Sequence, residues 1–438
     1  MAEPIDLLIE PRWLVPVEPQ GAVLKDSAVA VSGGRIQEIL PAASALERYR
    51  PARHVKLPDH VLIPGLVNLH THAAMALLRG IADDLPLMEW LKTRIWPAEA
   101  QHVSPAFVRD GTLLACAEML RGGITCFSDM YFFPEAAAEA AGSLGMRAVL
   151  GLVVIEFPTA YAADADDYLS KGLAARDRLR GNPLLSFCLA PHAPYTVADR
   201  TFERIATLAA QLDLPIHIHL HETQSEIEES VKRHGMRPLE RLHRLGLLGP
   251  SLIGVHAVHL DEPEIALLAE NNCTVAHCPT SNMKLASGAA PIARLSACGV
   301  RVGLGTDGAA SNNRLDLLQE MRHAGLLAKV TAGDAAILNA HELLRMATLN
   351  GAAALGLEDR IGSIRPGKAA DLCAVRLDAL ETRPCFDPVS HLVYAAGREH
   401  VSHVWVNGVL QCENGCLPEC DDRQLLDTVN LWQNKLIG

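Results

Sequence analysis

The chain has 438 residues, of which 49% are apolar and 21% charged, and it carries a formal net charge of −12. That balance gives a folded chain with room for a large core and excludes a disordered or fibrous one. The acidic excess argues against a nucleic-acid or anionic-membrane surface. The opening residues, Ala2-Glu3-Pro4-Ile5-Asp6, form no basic leader. The longest apolar runs, such as Ala148 to Ile155, are strand-sized and far short of a membrane span, so a cytoplasmic protein is expected. Eleven scattered cysteines fit reduced thiols better than a disulfide framework.

In chain order, residues 6 to about 60 alternate apolar and polar with glycine punctuation. Ala28-Val29-Ala30-Val31-Ser32-Gly33-Gly34-Arg35-Ile36 reads as a strand, a tight turn and a strand. The middle reads differently. Eight apolar runs, Leu62–Leu69, Ile124–Asp129, Ala148–Val154, Leu184–Ala190, Pro215–Leu220, Leu252–Val255, Thr274–Ala276 and Val300–Gly305, alternate with amphipathic stretches such as Pro105–Arg121 and Arg200–Gln211. Eight such βα units in series make a (β/α)8 TIM barrel, whose chemistry sits at the C-terminal ends of its strands. The short-strand style returns at Asp371–Val375 and Val401–Leu410, with a turn at Asn407-Gly408. The expected fold class is therefore α/β. A small β-sandwich domain takes residues 1–60 and 364–420 from both chain ends, the barrel 61–363, and a C-terminal helix 421–438. Cys412, Cys416 and Cys420 are regularly spaced and could hold a metal, although no fourth ligand lies at a familiar spacing.

Four of the runs end in metal-ligand residue types: His70-Thr71-His72, His219-Leu220-His221-Glu222, Val255-His256 and Thr306-Asp307-Gly308. His70 and His72 lie two apart on an extended segment and share a face, either as a metal grip or as two packing histidines. Three imidazoles and one carboxylate at strand ends suit one divalent metal, Zn²⁺ or Fe²⁺, with room left for a water. His217, His219 and His221 share one parity, and only one of them need be a ligand. An Asp after a barrel strand could instead cap the next helix.

Asn68-Leu69-His70-Thr71-His72 after Pro64-Gly65 resembles the amidohydrolase superfamily over nearly the whole chain, most closely its methylthioadenosine/S-adenosylhomocysteine deaminases. The resemblance implies His70, His72, His219 and Asp307 as ligands to one metal per chain. It implies Glu222 as the general acid/base, with His256 either a ligand or a hydrogen-bond partner of the hydrolytic water. His217 and His221 are expected to be structural or to orient a ligand. Where binuclear members carry a bridging Lys, this chain has Ala190-Pro191-His192-Ala193-Pro194-Tyr195, which implies a single metal. A metal held there would lower the pKa of a bound water to ~7. Glu222 then protonates a ring nitrogen, and Asp307 beside His256 passes the remaining proton to the departing amine.

Residues 73 to about 112 are the natural lid. By the same resemblance Trp90 lines the substrate, Glu99 accepts from ribose hydroxyls and His192 meets the purine. Members that take S-adenosylhomocysteine well have arginines after strand three. Here that stretch is Ile155-Glu156-Phe157-Pro158-Thr159-Ala160-Tyr161, which suits a methylthio group. The expected substrate is thus a small nucleoside, methylthioadenosine ahead of adenosine, with S-adenosylhomocysteine the open case. The resemblance also leaves a homo-oligomer open. His277-Cys278-Pro279-Thr280-Ser281-Asn282 reads as a turn that shapes the pocket. Rival readings are a free-base deaminase of the guanine or 8-oxoguanine type, a triazine hydrolase, and a barrel scaffold without chemistry.

Overall fold

The computed structural model describes residues 2–437. A mixed sheet draws on both ends of the chain. Its strands are β1 (Glu3–Leu14), β2 (Leu24–Lys25), β3 (Ser27–Ser32), β4 (Arg35–Pro41) and β5 (Tyr49–Pro64). From the other end come β14 (Leu372–Arg376), β15 (Val401–Val406) and β16 (Val409–Glu413), in the order β16-β15-β14-β5-β1-β3-β4 with β2 off β1. Alternation with a period of two gives this sheet two apolar faces. Leu7, Ile9, Val29, Val31, Leu372 and Trp405 pack on one, and Leu8, Ala28 and Ala30 on the other.

The remaining strands form a parallel, nearly closed barrel: β6 (Leu66–Thr71), β7 (Ile124–Asp129), β8 (Arg147–Val154), β9 (Leu185–Pro191), β10 (Ile216–Leu220), β11 (Leu252–His256), β12 (Thr274–His277) and β13 (Arg301–Leu304). The run Leu62–Leu69 is not one strand. Its first residues pair with β1 and β14 in the mixed sheet, and the chain passes into the barrel at Gly65. Residues 61–64 therefore lie outside the barrel that was expected to begin at 61. The break falls at Gly65 because a Cβ there would stand 2.1 Å from Thr125 Oγ1, so only glycine fits against β7.

β6 and β13 face each other across the closing seam. Thr306 N donates to Asn68 Oδ1 (2.9 Å) and Asn68 Nδ2 to Thr306 Oγ1 (2.8 Å), while Asp307 N donates to the His70 carbonyl (3.0 Å). A Cβ on Gly305 would meet His70 N and Cβ at 2.9 Å, so the close approach needs a glycine at this position.

Between β6 and the helix Pro105–Arg121 the lid folds into short helical pieces, Ala73–Leu78, Leu87–Trp90, Leu91–Ile95 and Trp96–His102. The helix Asp422–Ile437 docks on Pro105–Arg121: Trp432 meets Phe107 edge-on at 5.3 Å, and its Nε1 donates to Asp110 Oδ2 (2.9 Å). Cys412 is buried, Cys416 exposed and Cys420 half-buried; among the described residues these cysteines form no group with metal-ligand spacing. Among the described residues no helix is long and apolar enough to cross a membrane.

The barrel and the mixed sheet are joined by a buried ion pair. Arg147 on β8 grips Asp371 bidentately, Nε to Oδ2 at 2.9 Å and Nη2 to Oδ1 at 3.0 Å, and Asp371 Oδ1 also accepts from Asn407 N (2.8 Å). Removing one partner strands a charge in a dry interface. Arg147→Met is expected to cost about 3–5 kcal/mol in denaturant unfolding, and the double substitution Arg147→Met/Asp371→Leu distinctly less. Equal losses would show that lost packing, and not the orphaned carboxylate, sets the cost.

Candidate active site

The barrel brings the C-terminal strand ends to one rim, and the predicted donors meet there. His70 lies on β6, His72 one residue past it, His219 on β10, and Asp307 follows β13. The three histidines offer ligand nitrogens within 4.8 Å of one another. Asp307 Oδ1 stands 3.5 Å from His70 Nε2 and 3.4 Å from His72 Nε2.

Backbone carbonyls set the ring tautomers. His72 Nδ1 donates to the Met130 carbonyl (2.6 Å) and His219 Nδ1 to the His192 carbonyl (2.8 Å), so each Nε2 presents a bare lone pair. His70 Nδ1 lies 3.1 Å from His217 Nε2, and His217 Nδ1 lies 3.3 Å from Ser128 Oγ. Burial holds His70 down at about 4 and His219 well below its ordinary range, so both rings are neutral at neutral pH. His70 Nε2 and His219 Nε2 nonetheless approach to 3.3 Å, with a carboxylate oxygen alongside. Lone pairs and an anion crowded into one dry volume repel unless a cation lies between them. The donor set therefore fits a divalent ion.

Asp307 also accepts from three donors. Gly308 N meets Oδ1 (2.7 Å), and Ser281 Oγ and Ser311 Oγ meet Oδ2 at 2.6 and 2.8 Å. Its backbone is left-handed, φ 59°, as are those of His221 (54°) and His256 (70°). Such strain at non-glycine residues gathers where surrounding contacts over-determine the geometry.

Glu222 is buried beside the donors, its Oε2 3.8 Å from His256 Nε2, and burial raises its pKa against the pull of His256. The turn that aims it is clamped by Glu226, which accepts from His221 N (3.1 Å) and Glu222 N (2.9 Å). His256 Nδ1 donates to Asn282 Oδ1 (2.8 Å). Of the three same-parity histidines on the fifth barrel strand, His217 abuts His70, and His221 turns away to accept from Leu239 N (3.1 Å).

A cavity of about 490 Å³ opens over this cluster. The strand ends contribute His72, His192, His219, Glu222, His256 and Asp307 to its wall, and the lid contributes Leu87, Trp90, Ile95, Trp96 and Glu99. Ile155, Phe157, Pro158, Thr159 and Ala160 add an apolar stretch, and among the described residues no lysine or arginine lines it. Trp90 presents its ring only, because Nε1 donates to the Ala82 carbonyl (3.1 Å). His192 Nδ1 sits 3.2 Å from Thr196 Oγ1, and burial lowers its pKa to about 3. Burial raises Glu99 to about 7, against a hydrogen bond from Tyr131. Sequence reasoning assigned no role to Ser128, Tyr131 or Ser311, and gave Ser281 and Asn282 only a place in a pocket-shaping turn. Their one signal is position, at or just after barrel strand ends.

The barrel and its rim of convergent imidazole, carboxylate and acid/base groups define a hydrolase. Residues 61–410 match the amidohydrolase family, and the chain belongs to it. It is 48% identical over 432 residues to the 5-methylthioadenosine/S-adenosylhomocysteine deaminase of Teredinibacter turnerae, covering 99% of this chain and 98% of that one. The enzyme of the same name from Thermodesulfovibrio yellowstonii is 42% identical over 431 residues, 98% of each chain. Among solved structures the chain is similar to an adenosine deaminase from Xanthomonas campestris with bound zinc: TM-score 0.98, 51% identity, 100% of this chain and 99% of that one. It is also similar to the zinc complex of atrazine chlorohydrolase from Arthrobacter aurescens: TM-score 0.91, 26% identity, 97% of this chain and 99% of that one.

Purified protein is expected to carry about one divalent ion per chain by elemental analysis. His219→Ala and Asp307→Ala should each weaken retention more than about tenfold, since loss of an outer-shell partner alone costs that much. Full retention in both variants would remove these residues from the ligand set.

Proposed function

We propose that this protein hydrolyses the 6-amino group of adenine nucleosides, 5′-methylthioadenosine foremost and adenosine also, releasing ammonia and the inosine analogue. One observation carries the reading. A single cavity is lined by His72, His219 and Asp307 of the donor cluster with Glu222 and His256, by the lid carboxylate Glu99, and by an apolar stretch from Ile155 to Ala160 with no cation.

His70, His72, His219 and Asp307 would hold one divalent ion, zinc being the metal that their nitrogen and oxygen donors suit. When bound, that ion supplies the Lewis acidity that makes water a nucleophile at neutral pH. Glu222, buried and raised in pKa, takes a proton from the attacking water and delivers it to N1, which makes C6 electrophilic. A C6–O bond forms as the ring takes up that proton. Asp307 then accepts the remaining hydroxyl proton and passes it to the departing amine, His256 standing beside the oxygen. The C6–N bond breaks, ammonia leaves, and the ring keeps a carbonyl and the N1 proton. The serine hydroxyls on Asp307 Oδ2 leave Oδ1 aimed at the reacting centre.

Glu99 reads the ribose, because a carboxylate accepts from two vicinal hydroxyls at once. Trp90 offers a ring face to the nucleoside, and His192 meets the purine. A homocysteine tail would bring its carboxylate to a wall that lacks a compensating charge, whereas a methylthio group buries apolar surface there.

Two measurements test this. Ammonia release from metal-quantified protein should be fastest with 5′-methylthioadenosine, next with adenosine, and at least about tenfold slower with S-adenosylhomocysteine, given the cost of an unpaired carboxylate. Turnover confined to guanine or adenine would overturn the nucleoside assignment. Glu222→Gln should lose about 10²–10⁴ in turnover while its metal content stays at one per chain; near-normal activity would move the acid/base role elsewhere.

A further inference from the structure

Glu99 stands on the lid helix Trp96–His102, so the carboxylate that reads the ribose is carried by the lid and not by a barrel strand. Tyr131 is its one hydrogen-bond partner among the described residues. The phenol donates to Glu99 Oε1 at 2.7 Å. Tyr131 itself is buried and lines the same cavity, its ring 6.4 Å from that of His72 and 5.2 Å from that of Phe132.

The backbone that carries this phenol is locked to the metal-ligand side. Met130 N donates to the Thr71 carbonyl (2.9 Å), Met130 O accepts from His72 Nδ1 (2.6 Å), and Asp129 Oδ1 accepts from Ala73 N (2.8 Å). The hydroxyl thus has a fixed origin, referred to the same strand end that orients His72. An ionised carboxylate has about four acceptor positions. The phenol occupies one of them and leaves both lone pairs of Oε2 and one of Oε1 for a vicinal diol.

We propose that Tyr131 is a positioning residue for ribose selectivity. It holds the Glu99 carboxylate at a set distance from the reacting centre, so that the diol is bound only when C6 is in register with Glu222. This rests on the reading of Glu99 as the ribose acceptor. A merely structural tyrosine would affect all substrates alike, whereas a positioning one acts only on substrates that have the hydroxyls.

The test compares kcat/KM for adenosine with that for 2′,3′-dideoxyadenosine in wild type, Tyr131→Phe, Glu99→Ala and the double variant, with metal content and melting temperature as controls. Tyr131→Phe should lower the adenosine preference about tenfold, mainly through the KM for adenosine, as befits a misplaced hydrogen bond to a charged group. The double variant should discriminate no worse than Glu99→Ala alone, because Tyr131 acts through Glu99. An unchanged or increased preference in Tyr131→Phe, with the preference lost in Glu99→Ala, would overturn the inference and leave the ribose reading standing. The contact would then be a resting one that ribose displaces. An unchanged preference in Glu99→Ala would overturn the ribose reading itself, and this inference with it. Additive losses in the double variant would also overturn it.

Discussion

Closure of the barrel between β6 and β13 brings the two ends of the donor set together. His70 comes from the first barrel strand and Asp307 from just beyond the last, some 240 residues apart in the chain, yet the Asp307 amide bonds the His70 carbonyl at 3.0 Å. Two features of the seam make this contact possible. Gly305 lacks the Cβ that would strike His70, and the reciprocal Asn68–Thr306 pair satisfies polar groups that close approach would otherwise leave buried and unpaired. With the seam shut, the distance between carboxylate and imidazoles is set by the backbone.

Two of the three rings are then oriented by groups that cannot themselves change protonation. Main-chain carbonyls of Met130 and His192 accept from His72 and His219, which fixes each tautomer without adding a second titrating partner. Burial keeps the His70 and His219 rings neutral, and the left-handed backbone at His221, His256 and Asp307 turns the chain sharply at the strand ends. Each of these arrangements costs stability locally and is offset by the packed barrel beneath. Val67, Cys126, Val149, Cys188 and Val255 bury there beside Ala352 and Leu355.

Much of this was legible because the chemistry-bearing residues end apolar runs, and a barrel gathers such ends on one face. What stayed hidden depends on contacts between distant segments. The run Leu62–Leu69 is uninterrupted in hydropathy, and its division at Gly65 follows from Thr125, sixty residues on. His217, His219 and His221 share a parity, but a left-handed residue breaks the alternation at His221 and sends that ring to Leu239 N. The carbonyl partners of His72 and His219 have no side-chain signature at all. Tyr131 lies in a loop whose register against the lid only the folded chain defines. The cysteines at 412, 416 and 420 are the converse case, a spacing without convergence.

The cavity divides its labour along the same physical line. The groups to which the proposed function gives a proton or a cation to hold stand at strand ends, whose positions are fixed by sheet hydrogen bonds. The residues to which the proposed function gives substrate selection, Glu99, Trp90 and the stretch from Ile155 to Ala160, line the cavity from the lid and the loop after β8. Loops tolerate change because little of their backbone bonding is shared with the sheet. Selectivity can therefore be altered without disturbing the donor cluster, provided that the two regions stay in register. The segment Asp129–Tyr131 supplies that register: three consecutive residues touch the start of the lid, a ring of the donor cluster and the lid carboxylate in turn. A shift of this strand end would displace the donor cluster and the lid together.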